Sequence, residues 1–319
     1  METLLQTAPA ADPVAQLLGL LRVRSSVYCR SVMRAPWGFG VVARTVAGFH
    51  VVTEGSCWLE VDGEDGVQPL NAGDLVILPR GSAHQVRSDP GASVRLLDDI
   101  LAEHPVPDGR LLYGGSGPAT TILCGGFVLE EPRLNPLLSR LPTIVKVAGS
   151  SGRPVPWLGA TIELLTGEMT AAHAGVNTLV TRLSELVLVQ VLRTYLADLN
   201  GDTPPGLQGF ADPQVGKAIS LMQERPEQAW TLDRLATAVA MSRAAFANRF
   251  RTLTGEPPMR YLTRYRLFKA ALDLRRSNHS LTRIAASTGY DSEVTLSKAF
   301  RRYFGVAPGT YRKSAANGS

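Results

Sequence analysis

The stretch that decides the fold is G-Y-D-S-E-V-T-L-S-K-A-F-R-R-Y-F-G, residues 289–305. Its apolar side chains recur every four residues, which predicts one stripe of an amphipathic helix that begins near an N-cap at Asp291 or Ser292. The stripe consists of Leu296, Phe300 and Phe304. The opposite face carries Glu293, Val294, Ser297, Lys298, Arg301 and Arg302. A solvated surface helix is the plain interpretation of one isolated run of this kind.

The same pattern occurs once before in the chain. Residues 284–305 align with the earlier stretch L-A-T-A-V-A-M-S-R-A-A-F-A-N-R-F-R-T-L-T-G (235–255), with one extra residue in the second turn. Ser242 matches Ser292 as an N-cap, and Ala240 matches Gly289 at a turn where a positive φ favours glycine. Each copy therefore predicts a short helix, a tight turn and a second amphipathic helix, which is the helix-turn-helix pattern.

The two copies share a closing motif and are joined by a helical segment. The first ends in G-E-P-P-M-R-Y and the second in G-V-A-P-G-T-Y, so glycine, proline and tyrosine recur at the same spacing. Residues 264–276, R-Y-R-L-F-K-A-A-L-D-L-R-R, contain neither Gly nor Pro and predict one helix between the copies.

The charge is unevenly distributed. Residues 212–319 contain 18 Lys and Arg against 8 Asp and Glu, which leaves 15 of the 33 basic and 20 of the 28 acidic residues in 1–211. The last third of the chain is thus strongly basic and the rest acidic. This division indicates a module that binds a polyanion, attached to an acidic module.

The repeated units, the linking helix and both closing motifs resemble the DNA-binding domain of the AraC/XylS family of transcription regulators. The match covers about a third of the chain. It implies double-stranded DNA as a partner, with bases contacted by the second helix of each unit and phosphates by cations around it. The implied base-reading residues are Arg243, Ala244, Ala247, Asn248, Glu293, Val294, Ser297 and Lys298. The implied phosphate contacts are Arg249, Arg251, Arg301 and Arg302.

The N-terminal half has a different pattern, of period two with glycine-rich turns. Residues 50–63 and 69–84 predict strand pairs of a small β-barrel or jelly roll. The spacing of Gly73, Pro79, Gly81 and His84 resembles the second cupin motif. Gly48, His50 and Gly63 resemble the remains of the first, and A-P-W-G (35–38) with residues 124–142 resembles the cupin-type sensors of the same regulator family.

The cupin resemblance does not extend to the metal ligands of cupin enzymes. Those enzymes need two His and a carboxylate that converge, but Val52 occupies the position of the second His, and Glu54 and Glu60 do not have the glutamate spacing. We therefore expect no metal, no cofactor and no catalysis. The effector-pocket candidates are His50, Val52, His84 and Trp58. A metal-dependent cupin enzyme and an effector-independent DNA-binding protein are the alternatives.

Two cysteines are candidates for sensing an oxidant. Cys29 precedes A-P-W-G and Cys124 ends the strand-like run T-T-I-L-C, whereas Cys57 lies inside another strand. The regulator family includes members that respond to oxidants, and an accessible thiol with a partner can form a disulfide. We predict Cys29 and Cys124 as the redox pair, beside a small organic effector as the other signal. Buried apolar packing is the alternative for each cysteine.

The sequence also predicts the domain organisation. Residues N-G-D-T-P-P-G-L-Q-G (200–209) favour a linker, so we expect a two-domain α+β protein: a cupin-like barrel with flanking helices (1–199), a linker (200–211) and an all-α double helix-turn-helix domain (212–314). Helical segments at 157–167 and 174–199 are equally compatible with a homodimer interface and with burial on the barrel.

The chain start lacks a basic n-region and no stretch reaches the length of a membrane span, which favours a cytoplasmic protein without membrane contact. The resemblance implies a transcription activator that contacts RNA polymerase.

Overall fold

A computed structural model describes residues 12–106, 109–132, 134–149, 155–171, 175–197 and 206–316. The chain divides into two compact units. The sheet-rich unit comprises Leu21–Glu130 and Leu141–Gly201, and the helical unit comprises Met1–Leu20, Glu131–Arg140 and Asp202–Ser319. The predicted two-domain α+β class is therefore confirmed.

The strands all belong to the sheet-rich unit, and the helices are shared between the two units. The strands are β1 (Val23–Arg34), β2 (Gly38–Val41), β3 (Ala47–Glu54), β4 (Ser56–Val61), β5 (Gln68–Asn71), β6 (Leu75–Leu78), β7 (His84–Arg87), β8 (Arg95–Leu96), β9 (Arg110–Gly114), β10 (Ala119–Leu129) and β11 (Val145–Val147). The helices are α1 (Pro13–Gly19), α2 (Leu97–Glu103), α3 (Pro156–Ala171), α4 (Val176–Ala197), α5 (Gln208–Ala211), α6 (Pro213–Glu224), α7 (Leu232–Ala238), α8 (Arg243–Thr254), α9 (Pro258–Arg276), α10 (Leu281–Ser287), α11 (Glu293–Phe304) and α12 (Pro308–Ala316).

The strands form two sheets. One has six strands in the order β11-β6-β3-β10-β1-β9, and the other has five in the order β5-β4-β7-β2-β8. Apolar side chains from both sheets, among them Phe39, Val52, Leu59 and Ile122, form one buried core. Within the described ranges the sheets do not close into a continuous barrel, so the predicted barrel takes the form of two facing sheets.

The long helix α4 covers the six-stranded sheet with one face and leaves apolar residues on another. It contacts β1 and β11, and its buried face includes Val180, Val187 and Val191. Leu179 and Leu186, one heptad apart, stay 42% and 45% exposed. Burial on the sheet, one of the two alternatives for this helix, therefore applies to one face only.

The helical unit contains both predicted helix-turn-helix units. Ser242 and Ser292 are the N-caps of α8 and α11, and each hydroxyl accepts a hydrogen bond from the backbone N–H three residues later. In the turns, Ala240 has a φ of 55° and Gly289 a φ of 76°, so the first unit accepts an alanine where the second uses glycine. The linking helix α9 begins at Pro258, earlier than predicted, because proline is well suited to the first helical position.

Two segments from outside the C-terminal third pack within the helical unit. Helix α1 contacts α6, and Arg276 donates a hydrogen bond to the carbonyl of Leu20. Residues 131–140, called the 131–140 segment below, follow β10 in the chain and bury three leucines. These are Leu134, Leu137 and Leu138.

Ion pairs hold both ends of the 131–140 segment. Glu131 accepts from Tyr311 and lies 2.9 Å from the guanidinium of Arg275. At the other end, Arg140 lies 3.3 Å from Glu256, which also pairs with Arg264. The proposed linker 200–211 is only partly described: residues 200–205 lie outside the described ranges, and Gln208–Ala211 form the short helix α5 beside a buried Leu207.

Candidate nucleic-acid interface and ligand cavity

The second helices of the two repeated units present their predicted base-reading residues on one side. In α8, Phe246 and Phe250 are fully buried, and in α11 the same places are taken by Leu296 and Phe300. With these side chains in the core, the opposite face of each helix lies at the surface. Exposed there are Arg243, Ala244, Asn248, Glu293, Val294 and Lys298, while Ala247 and Ser297 are half-buried.

Several of these polar side chains have intramolecular partners. Arg243 lies 3.4 Å from Asp233, and Glu293 accepts a hydrogen bond of 3.0 Å from the hydroxyl of Thr282. Val294 is 57% exposed, so its methyl groups are available for an apolar contact. A thymine methyl is a suitable contact for such a group.

The four predicted phosphate contacts are all exposed, but they differ in their surroundings. Arg249 donates through Nε, at 3.0 Å, to Asp212, the N-cap of α6. Arg251, Arg301 and Arg302 lie on the last turns of α8 and α11. Arg249 would therefore have to leave, or share, its carboxylate in order to contact a phosphate.

The sheet-rich unit contains a cavity of about 260 Å³ next to the core. Its walls are mostly apolar, and Arg44 and Asp98, which line it, form an ion pair of 2.5 Å. His50 and His84 also line it, as predicted for an effector pocket. Among the described residues that line this cavity, neither Val52 nor Trp58 occurs.

The two remaining pocket candidates lie elsewhere for a simple reason. Val52 is completely buried in the core between the sheets. Trp58 alternates with Cys57, Leu59 and Val61, which point into that core, and so lies on the other face of β4. Of the four predicted pocket residues, only His50 and His84 therefore line the cavity.

A chain of hydrogen bonds connects Cys124 to the two histidines. The Nδ1 of His84 lies 2.8 Å from the carbonyl of Ser82, so this nitrogen must carry a proton. The Nε2 of neutral His84 then accepts a hydrogen bond from the Nε2–H of His50, 2.8 Å away. His50 in turn accepts, at Nδ1, from the thiol of Cys124 at 3.2 Å.

The ionisation of these groups agrees with that arrangement. Burial, followed by the neighbouring His84, lowers the pKa of His50, and burial also lowers the pKa of His84. Burial raises the pKa of the Cys124 thiol well above its usual value. The histidines are therefore neutral and the cysteine protonated near neutral pH, as the hydrogen bonds require.

The histidine pair does not fit a cupin metal centre. The two Nε2 atoms that would face a metal are hydrogen-bonded to each other, and the position of the third ligand is the buried Val52. Among the described residues, no group of three or more His, Cys, Asp or Glu side chains is placed to hold a metal ion. The residues present therefore do not form the ligand set of a cupin enzyme.

The structure brings the two predicted redox cysteines together. Cys29 in β1 and Cys124 in β10 are directly opposite each other in the antiparallel ladder, and both line the cavity. Directly paired residues have Cα atoms about 4.5–5.5 Å apart, within the range that a disulfide spans. Cys57 is buried on the other sheet, and burial raises its pKa to about 12.

Comparison with known proteins agrees with the two-domain fold. Residues 12–197 match the family described as Cupin, and residues 235–314 match the Helix-turn-helix domain. A putative AraC-like transcription regulator of Streptomyces lividans is 35% identical, covering 95% of this chain and 98% of its own. The RCS-specific HTH-type transcriptional activator RclR of Escherichia coli (strain K12) is 29% identical, covering 95% and 97%. The DNA-binding domain of AdpA, solved in complex with a target DNA, is 33% identical over 32% of this chain and 92% of its own, with a TM-score of 0.31.

These matches define the class of protein. The chain belongs to the AraC-like transcription regulators that combine a cupin-type domain with a helix-turn-helix domain. It is a DNA-binding transcription regulator, and the family resemblance seen in the sequence is confirmed. Among the helices of the described ranges, none is long and apolar enough to cross a membrane.

Proposed function

We propose that the protein is a cytoplasmic transcription activator that reads a specific DNA sequence and contacts RNA polymerase. The observation that supports this best is the exposed polar face on both α8 and α11, each fixed by two buried apolar side chains. In a helix-turn-helix, this second helix enters the major groove and its first turns meet base edges. Base readout falls on Arg243 and Asn248 in the first unit and on Lys298 in the second.

Lys298→Ala and Arg302→Ala are expected to weaken DNA binding in different ways. Loss of a base contact should cost about 1–3 kcal/mol on the preferred sequence and relax the preference at one position. Loss of a phosphate contact should weaken binding to all sequences alike and reduce the salt slope by about one. Gel shifts at two salt concentrations, with preferred and scrambled DNA, distinguish these results. An unchanged affinity and preference for Lys298→Ala would remove Lys298 from the base readout.

The sheet-rich unit is proposed to be the sensor, and its cavity the place where the signal acts. A volume of about 260 Å³ is slightly smaller than usual ligand pockets, so it suits only a small and mostly apolar molecule. The neighbouring Cys29 and Cys124 support an oxidant as the second signal. We propose no catalysis for this unit, since the two histidines at the cupin ligand positions are hydrogen-bonded to each other and Val52 occupies the third position.

The 131–140 segment is the proposed route by which the signal reaches the DNA-binding helices. The peptide chain runs from Cys124 through the end of β10 directly into this segment. Within the helical unit Glu131 binds Arg275 of α9 and Tyr311 of α12, and Arg140 pairs with Glu256 in the turn between α8 and α9. A change in the register or packing of β10 would therefore pull on groups that hold the helical unit together.

Homodimerisation through α4 is a further proposal, because Leu179 and Leu186 remain exposed after the helix has covered the sheet. Replacing both with Glu should convert a dimer to a monomer, since buried carboxylates without partners are strongly unfavourable. Sedimentation analysis measures this directly. As a control, Arg193→Glu on the same helix, which is also exposed, should leave the mass unchanged. A wild-type protein that sediments as a monomer at all concentrations would contradict the proposal.

A further inference from the structure

An open pocket of about 590 Å³ lies in the helical unit; none of the predicted base-reading residues lines it, although Arg302, a predicted phosphate contact, does. It is formed by the end of the 131–140 segment, the turn after α8, the first half of α9 and the end of α11. The side chains that matter for its chemistry are Arg140, Glu256, Arg260, Arg264 and Arg302. Four guanidinium groups and one carboxylate thus line the pocket.

That carboxylate is already occupied by two of the four cations. Glu256 is almost completely buried and pairs with both Arg264 and Arg140. Arg260 and Arg302 are exposed, and neither has a side-chain ion pair within the described ranges. The pocket therefore has an excess of positive charge that the protein itself does not neutralise.

The pocket lining also contains polar groups beside the charged ones. The Nη atoms of Arg264 bind Glu256 and the hydroxyl of Ser139, but its buried Nε has no acceptor among the described residues. Thr263 and Tyr303 add hydroxyl groups to the lining.

From this geometry we infer that the pocket binds a phosphate-bearing anion, through Arg260 and Arg302 and beside the Glu256 pairs. The planar guanidinium matches phosphate oxygens with two parallel hydrogen bonds, which makes arginine the residue suited to this ligand. The volume lies within the range of small-molecule sites, so a di- or triphosphate group can enter. The phosphate comes either from a free polyphosphate compound or from the DNA backbone.

The binding of sodium tripolyphosphate to the full-length protein, followed by calorimetry, tests this inference. The wild type should bind it, and Arg260→Gln should weaken the binding by about tenfold or more, because a charged hydrogen bond is lost. Arg260 is exposed and has no side-chain partner in the described part of the chain, so this variant should fold normally, which circular dichroism checks. Arg193→Gln, an exposed arginine of the sheet-rich unit, is the matched control and should bind like the wild type.

A second arm separates the two sources of phosphate. If tripolyphosphate does not bind, but Arg260→Gln weakens DNA binding and lowers the salt slope by about one unit, the pocket holds a phosphate of the DNA backbone. If Arg260→Gln changes neither tripolyphosphate nor DNA binding, the inference is wrong. That result would leave the proposed base readout intact, because Lys298→Ala tests it separately and Lys298 does not line the pocket.

Discussion

Replacement of Glu256 with alanine is expected to lower the free energy of unfolding of the helical unit by about 3–5 kcal/mol. Glu256 is 5% exposed and is the common partner of Arg264 and Arg140. Its removal leaves Arg264, which is also largely buried, without a counter-charge. The same change releases the Arg140 end of the 131–140 segment.

Urea unfolding of the full-length protein, followed by circular dichroism, measures this effect. Glu103→Ala is a matched control, because Glu103 also pairs with an arginine, Arg95, but both are exposed. Exposed pairs contribute about 0–1 kcal/mol, so this variant should unfold close to the wild type. If Glu256→Ala were no more destabilising than Glu103→Ala, Glu256 would not anchor the segment.

Mild oxidant is expected to change the DNA affinity of the wild type and to leave Cys29→Ser unaffected. A peroxide oxidises Cys29 to a sulfenic acid and releases water. The Cys124 thiol then gives its proton to Nδ1 of His50, which already accepts its hydrogen bond, and attacks the Cys29 sulfur. A second water leaves as the Cys29–Cys124 disulfide forms. Coupling between sites of this kind changes affinity by about 5–150-fold.

Once the disulfide has formed, Cys124 has no thiol proton left to donate to Nδ1 of His50. His50 is buried, so its Nδ1 would lose its donor in a place where water does not easily replace it. The hydrogen bonds of the two histidines must then change. The oxidised and reduced proteins are therefore expected to differ in structure around the histidines as well as at the cysteines.

Mass spectrometry of non-reduced peptides identifies the bridge, and fluorescence anisotropy with DNA measures the response. Cys57→Ser is the control, because Cys57 is buried on the other sheet and burial raises its pKa to about 12. It should retain the full response. The same response to oxidant in Cys29→Ser as in the wild type would exclude the Cys29–Cys124 pair as the sensor.

The double helix-turn-helix could be predicted in detail because its signals are local. The capping serines, the apolar spacing of four and the turn residues Ala240 and Gly289 all act within one or two helical turns. The structure places Ser292 rather than Asp291 at the N-cap of α11. Helix α9 begins earlier than the predicted 264–276, because Pro258 of the closing motif is also the first residue of the helix.

The sheet-rich unit shows where sequence reasoning stops. The strand positions followed from period two, but the register that sets Cys29 opposite Cys124 depends on pairing over almost a hundred residues, which no local pattern gives. Trp58 was assigned to the effector pocket although its neighbours Cys57 and Leu59 alternate with it. Their burial places Trp58 on the other face, and the alternation could have predicted this.

Glu256 and the 131–140 segment were missed for a different reason. In the motif G-E-P-P, a glutamate between glycine and proline has the composition of an exposed turn. In the fold it is buried beside Arg140, which is distant in sequence, and Arg264, which is eight residues further along the chain. The pairing of Arg44 with Asp98 at the cavity likewise could not be predicted, because the two residues are far apart in sequence.

The most direct test of the central claim is selection of bound sequences from a pool of random double-stranded DNA by the full-length protein. Two helix-turn-helix units in one chain predict enrichment of two short sequence blocks about one helical turn apart. Asn248→Ala should relax one block and Lys298→Ala the other, while Arg193→Gln should select the wild-type sequence. A pool that binds without enrichment, with an affinity set only by the salt concentration, would contradict the claim and indicate a DNA-binding protein without sequence preference.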